Sequence, residues 1–241
     1  MRLLTAIVLI STLAACTKAA GPVATTVVIP KKSNMPSSNS LTYLALGDSY
    51  TIGEAVTQDQ SFPYQLAARL TAAGRSVTSP DIIAVTGWTT ADLKQGIISR
   101  NLQNKNYSIV TLLIGVNNQY RGYSKDVYRK EFVELLNTAI GYAGGNIKHV
   151  FVISIPDWGV TPFAKNSGRD AAQVGADIDR FNAINKQETE KLNVNYIDIT
   201  PASRRAADET GLIADDGLHP SGNMYSLWVN QLLPAVDEQV K

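Results

Sequence analysis

The chain predicts an α/β fold, a three-layer sandwich on a five-stranded parallel sheet, and two observations carry that expectation. Apolar, β-rich runs alternate with longer amphipathic stretches along residues 41–241, the order that lays helices on the faces of a sheet. The runs are apolar almost throughout, as in IVTLLIG at 109–115 and VFVISIP at 150–156. Strands covered on both faces have that character, whereas a one-sided sheet alternates apolar and polar residues.

Taken in order, the first strand is expected at 43–46 and runs straight into Gly47-Asp48-Ser49-Tyr50. A helix follows at 62–73, with Gly74 standing where it should stop. The second strand, 82–85, leads to Thr86-Gly87-Trp88-Thr89, and Thr89 to Asp92 has capping-box spacing, with Asp in place of Glu, for a helix at 91–99. The third strand, 109–114, ends at Gly115-Val116-Asn117-Asn118 and precedes a helix at 125–143. The fourth, 149–155, ends at Pro156-Asp157-Trp158-Gly159, before a helix at 171–191. After the fifth, 194–199, a loop runs to Asp216-Gly217-Leu218-His219-Pro220 and a last helix at 222–238. No repeat of 20 to 50 residues is visible.

The segment before this domain divides in two. Residues 1–15, MRLLTAIVLISTLAA, pair one basic residue with an apolar run too short to span a bilayer and end in small residues, as a secretory signal does. The junction Leu13-Ala14-Ala15-Cys16 resembles the lipobox of bacterial lipoproteins, which implies acylation of Cys16 and a lipid-anchored protein of the cell envelope. Thr17 rather than aspartate follows, which by the same resemblance permits the outer membrane of a Gram-negative source. Residues 16–40 are rich in Ser, Thr, Pro, Ala and Gly and read as a tether with an r.m.s. span of roughly 25 to 30 Å. The run Val27-Val28-Ile29 is the alternative, a short edge strand.

Charge and composition remove several function classes. Lys plus Arg number 22 and Asp plus Glu 21, so no basic surface argues for nucleic acid. A single cysteine excludes internal disulfides, and two histidines, His149 and His219, are too few for a clustered zinc site. No metal or cofactor is expected, and the domain is expected to be a monomer.

In open α/β sheets ligands bind beyond the carboxyl ends of the strands, which directs attention to the five turns named above. A serine hydroxyl needs a base, and the base needs an orienting group. His219 is the candidate base, since His149 sits at the entry to the fourth strand, on the opposite edge. Asp216 lies three residues before His219, close enough for a compact turn to bring its carboxylate to the imidazole; Asp215 is the fallback. Ser49 taken alone reads as a helix N-cap and Asn117 as a turn residue.

Together, Gly47-Asp48-Ser49, Gly87, Gly115-Val116-Asn117 and Asp216-Gly217-Leu218-His219 resemble the four blocks of the SGNH/GDSL hydrolase family. The resemblance implies a flavodoxin-like sheet of order 2-1-3-4-5 and a serine esterase with Ser49, Asp216 and His219 as catalytic residues. It assigns the oxyanion hole to the N–H groups of Ser49 and Gly87 and the side-chain amide of Asn117. Two positions depart from the family pattern: Asn118 where an aspartate commonly stands, and Val85 where an asparagine often does.

The expected reaction is hydrolysis of carboxylic esters through an acyl-enzyme, with short, acetyl-type acyl groups on small molecules or glycans at the cell envelope as substrates. The alternatives are a lysophospholipase or acyl-thioesterase, an acyltransferase, and a glycan-binding lipoprotein with an idle site. Tyr50, Trp88, Gln119, Arg121 and Trp158 are the expected substrate-binding residues, with Glu54, Tyr120 and Asp157 as further wall candidates.

Overall fold

A computed structural model describes residues 40–103 and 106–241. The expected signal at 1–15, acylated Cys16, the tether up to residue 39 and the alternative strand at 27–29 lie outside the described residues. Among the described residues no helix is long and apolar enough to cross a membrane.

Five strands, β1 (Tyr43–Gly47), β2 (Asp81–Ala84), β3 (Ile109–Leu113), β4 (Val150–Ile153) and β5 (Asn195–Ile197), form one sheet of order β2-β1-β3-β4-β5. Every neighbouring pair is parallel. The three central strands are buried along their whole length, while the edge strands β2 and β5 are partly exposed and carry Asp81 and Asn195. Their apolar runs therefore mark the middle of the sheet most clearly.

The helices are α1 (Ser49–Ile52), α2 (Phe62–Ala72), α3 (Thr90–Arg100), α4 (Val116–Tyr120), α5 (Lys125–Tyr142), α6 (Pro162–Asn166), α7 (Ala171–Lys191), α8 (Thr200–Arg204) and α9 (Gly222–Gln239). Parallel strands joined by right-handed crossovers force a change of face where the strand order reverses. Accordingly α2 packs with α9, and α3 with α5 and α5 with α7. The α2–α9 layer buries Phe62, Tyr225 and Trp228 as an aromatic cluster, with Tyr225 edge-on to Trp228 at 5.0 Å between ring centroids.

Local signals act as the sequence suggests. The Thr89 side chain accepts from the Asp92 N–H and the Asp92 carboxylate accepts from the Thr89 N–H, a full capping box on α3. Helix α2 ends just before Gly74, whose φ of +89° places it in the left-handed region that glycine adopts freely.

The ends of β1 and β3 fall one residue from expectation, and the other three strands differ for a local reason each. Strand β2 stops at Ala84 because the Val85 carbonyl turns to accept from the Trp88 N–H. Strand β4 is shorter than 149–155: His149 closes a 3-10 turn capped by Asn146, and Ile155 leaves the ladder to pair both backbone groups with the Asn182 side chain. Strand β5 ends at Ile197, where the Asp198 carboxylate accepts from the Thr200 N–H and opens α8.

Candidate active site

The turn after β1 decides what Ser49 is free to do. Asp48 is the N-cap of α1, its Oδ1 accepting from the Tyr50 N–H at 3.1 Å. Ser49 is therefore the first helical residue rather than the cap, and its hydroxyl is released from the duty that serine most often has at a helix start. The Ser49 N–H, one of the donors that a helix start leaves unpaired, has no acceptor among the described residues. Ser49 is 5% exposed and lines a pocket of about 200 Å³ with Gly87, Asn117 and His219.

His219 is positioned by the turn that precedes it. One Asp216 oxygen, Oδ1, accepts from the Leu218 and His219 N–H groups, both at 2.9 Å. The other, Oδ2, accepts from His219 Nδ1–H at 2.5 Å. Gly217, at φ +73°, permits the tight reversal, and Ala214 N–H to His219 O at 2.8 Å closes it. With Nδ1 directed to the carboxylate, Nε2 is the nitrogen available to the pocket. Burial pushes the Asp216 carboxyl up, but its hydrogen bonds from the imidazole and the two N–H groups outweigh this and hold it below the ordinary carboxylate range. Asp215, the fallback, lies in a separate groove with Asp59 and Gln60. The Tyr50 ring stands edge-on to the imidazole at 5.6 Å. No hydrogen bond joins Ser49 Oγ to His219 among the described residues, although both line the one pocket. Such bonds commonly tighten only when substrate is present.

Two further residues of this pocket, at neighbouring strand ends, carry donors not fully engaged. Gly87, at φ +81°, has an N–H with no acceptor among the described residues. Asn117 Nδ2 donates to the Trp88 carbonyl at 3.0 Å, which leaves its second amide hydrogen unengaged. The three groups assigned to an oxyanion hole thus each keep a hydrogen without an acceptor among the described residues. His149 ends its turn at the opposite edge of the sheet. Among the described residues no cluster of His, Cys, Asp or Glu is suited to a metal ion.

The expected substrate-binding residues divide. Tyr50 and Trp158 line the pocket, as does Tyr120. Trp88, Gln119 and Arg121 do not. The Trp88 ring lies against Gly96, where any Cβ would come within 2.1 Å of it. Gln119 is buried and its Oε1 accepts from Trp158 Nε1 at 2.9 Å, so it holds a wall rather than forming one. Arg121 Nη2 donates to the Gly87 carbonyl at 2.6 Å. Glu54 accepts from the Thr86 hydroxyl, and buried Asp157 is engaged by the Gly159 N–H and Arg204 Nε at 2.8 and 2.9 Å. Phe163 and Leu218, which the sequence did not single out, complete the apolar side of the pocket.

Residues 45–227 match the model of the GDSL-like lipase/acylhydrolase family. The fold is similar to that of TesA, at 16% identity and a TM-score of 0.63 over 82% of this chain and 99% of that one. It is similar to an acetylxylan esterase from Geobacillus stearothermophilus at 17% identity and a TM-score of 0.63, over 84% and 96% of the two chains. A lipase/acylhydrolase from Enterococcus faecalis is similar at 21% identity and a TM-score of 0.61, over 83% and 97%. At these identities the likeness is one of fold. Among curated proteins none matches the chain.

Proposed function

The chain belongs to the GDSL-like lipase/acylhydrolase family, and from that premise we propose that it is a serine esterase whose nucleophile is Ser49. The observation that carries this reading is the 2.5 Å bond from His219 Nδ1–H to Asp216, made beside a pocket that also holds Ser49, Gly87 and Asn117.

Ser49 Oγ attacks the ester carbonyl as His219 Nε2 takes its proton, and Asp216 stabilises the imidazolium. The carbonyl oxygen becomes an oxyanion among the Ser49 and Gly87 N–H groups and the Asn117 amide, where each donor typically contributes about a hundred- to thousand-fold in rate. Collapse breaks the bond to the alcohol, which leaves with the proton from His219. Water then attacks the acyl-enzyme, giving its proton to the same nitrogen, and the second collapse releases the acid and restores Ser49.

Short acyl groups suit this site. Its volume of about 200 Å³ lies below the ~300–1,000 Å³ usual for drug-sized ligands. The acetylxylan esterases among the fold neighbours and the partly exposed ring of Tyr120 at the pocket support an acetylated glycan as the alcohol side. Ser49→Ala is expected to lower turnover of p-nitrophenyl acetate by on the order of 10⁴-fold or more and to abolish labelling by a fluorophosphonate. Turnover at the wild-type rate in that variant would refute the assignment.

The cell envelope is the proposed location, held there by acylation of Cys16. The support is the Leu13-Ala14-Ala15-Cys16 junction behind an apolar leader. Palmitate labelling in a bacterial host should disappear in Cys16→Ser, and labelling that persists would exclude this anchor.

A further inference from the structure

The turn between β2 and α3 is tied down by bonds from several directions, and the Gly87 N–H is left without an acceptor among the described residues. The Thr86 hydroxyl donates to the Glu54 carboxylate. Arg121 Nη2 donates to the Gly87 carbonyl at 2.6 Å, and Asn117 Nδ2 to the Trp88 carbonyl at 3.0 Å. The Trp88 N–H closes the turn on Val85 at 3.2 Å. The Thr89 N–H goes to Asp92 at 2.9 Å, and the Thr90 N–H to Asn118 at 3.0 Å. From Gly87 to Thr90, only the Gly87 N–H has no acceptor among the described residues.

We propose that Arg121 is a positioning residue of the oxyanion hole, holding the Gly87 carbonyl so that the Gly87 N–H stays directed into the pocket. The inference rests on the reading that this N–H is an oxyanion donor. Glycine at φ +81° has the widest conformational freedom of any residue, so the orientation of its N–H must be imposed from outside. A carbonyl anchor fixes the 87–88 peptide, and with the Thr86 side chain held by Glu54 on the other side, rotation about the Gly87 Cα is restricted from both ends. Hydrogen-bond donors act best in catalysis when no reorganisation is needed as charge develops.

The guanidinium is suited to the task by its fork. Nη2 meets the Gly87 carbonyl while Nη1 lies 3.8 Å from the Asp92 carboxylate, so one rigid plane ties the turn to the capping box of α3. An ammonium is a point donor and cannot hold both with the same geometry. The three ties from Asn117, Asn118 and Arg121 come from α4 and the residue that caps it. Asn117 supplies another of the proposed oxyanion donors, so Arg121 also fixes two of these donors relative to each other.

The experiment compares wild type, Arg121→Met and Arg121→Lys in the full chain, with p-nitrophenyl acetate as substrate. Methionine keeps an unbranched apolar stem and removes both donors; about 45% exposure of the Arg121 side chain makes the fold tolerant of the change. The expected result is a kcat lowered by about tenfold in Arg121→Met with KM within about twofold, the signature of a loss confined to the transition state. Phosphonylation of Ser49 should slow in parallel, and Arg121→Lys should recover part of both rates. The inference is overturned if Arg121→Met keeps kcat within about twofold of wild type, or if the loss falls on KM instead, which would make Arg121 a substrate contact. If Arg121→Met does not fold, Arg121→Lys decides: a wild-type kcat overturns the inference and an intermediate one upholds it. Ser49→Ala separates the two levels. If it stays active the serine reading itself falls, whereas an inactive Ser49→Ala beside an unimpaired Arg121→Met sinks only the positioning role.

Discussion

Asp48 shows how one residue beside Ser49 couples stability to pH. It is fully buried, one oxygen caps α1, and the other, Oδ2, has no partner among the described residues. Burial pushes its carboxyl up to about 7 against the lowering effect of the Tyr50 N–H. An unfolded chain ionises the same group near pH ~3.9, so between about pH 4 and pH 7 the folded state holds a proton that the unfolded state has lost. Stability therefore falls as pH rises through that window, by up to about 1.4 kcal/mol per pH unit for one proton, and levels off above it. Asp216 works in the opposite sense: its lowered carboxyl adds stability that is present above the unfolded value and is lost only as pH falls below about 4. The two windows are separate. Asp48→Asn keeps an N-cap acceptor and cannot ionise, so melting temperature measured from pH 4 to 8 should lose most of its downward slope. An unchanged slope would assign the pH dependence to another group.

At the scale of elements, what could be read from the sequence tracks the length over which a pattern persists. The central strands and the long helices α2, α3, α5, α7 and α9 each carry a run long enough to show its period, and each was expected within a few residues of where it lies. Helices α1, α4, α6 and α8 have four or five residues, too few for a helical period to appear. They are held by tertiary ties such as Asn118, fully buried, whose amide both accepts from the Thr90 N–H and donates to Thr90 Oγ1. Here α4 decided the fate of the expected pocket walls. As a short helix, 116–120 directs Gln119 to the Trp158 indole, and the cap residue Arg121 reaches the Gly87 carbonyl. The polar core of the site was legible because its residue types follow strand ends in order. Phe163 was not, for it lies seven positions beyond Pro156 and nothing local marks it as a wall.

On the scale of the whole molecule, the parallel sheet brings together stretches far apart in sequence, and the pocket inherits a wall from each. Ser49 and Tyr50 follow β1, Thr86 and Gly87 follow β2, Val116, Asn117 and Tyr120 follow β3, Trp158 and Phe163 follow β4, and Leu218 and His219 come after β5. The β4 and β5 contributions are locked to each other, since the Phe163 N–H donates to the Gly217 carbonyl at 2.9 Å. Trp158 is buried, whereas Phe163 is 37% exposed, so the Phe163 side chain forms a wall that can be removed with little loss of core. Its backbone bond to the histidine loop survives truncation. Phe163→Ala should therefore leave kcat/KM for an acetyl ester within about threefold while raising the hexanoyl-to-acetyl ratio by about tenfold, the scale on which pockets discriminate added methylenes. A series of p-nitrophenyl esters from two to eight acyl carbons measures this directly. If the wild-type enzyme already prefers the long esters, acyl length is not limited by this wall and the lysophospholipase or thioesterase reading gains. If Phe163→Ala leaves the ratio unchanged in an enzyme that favours acetate, the acyl group occupies another side of the pocket, and the ring faces the alcohol instead.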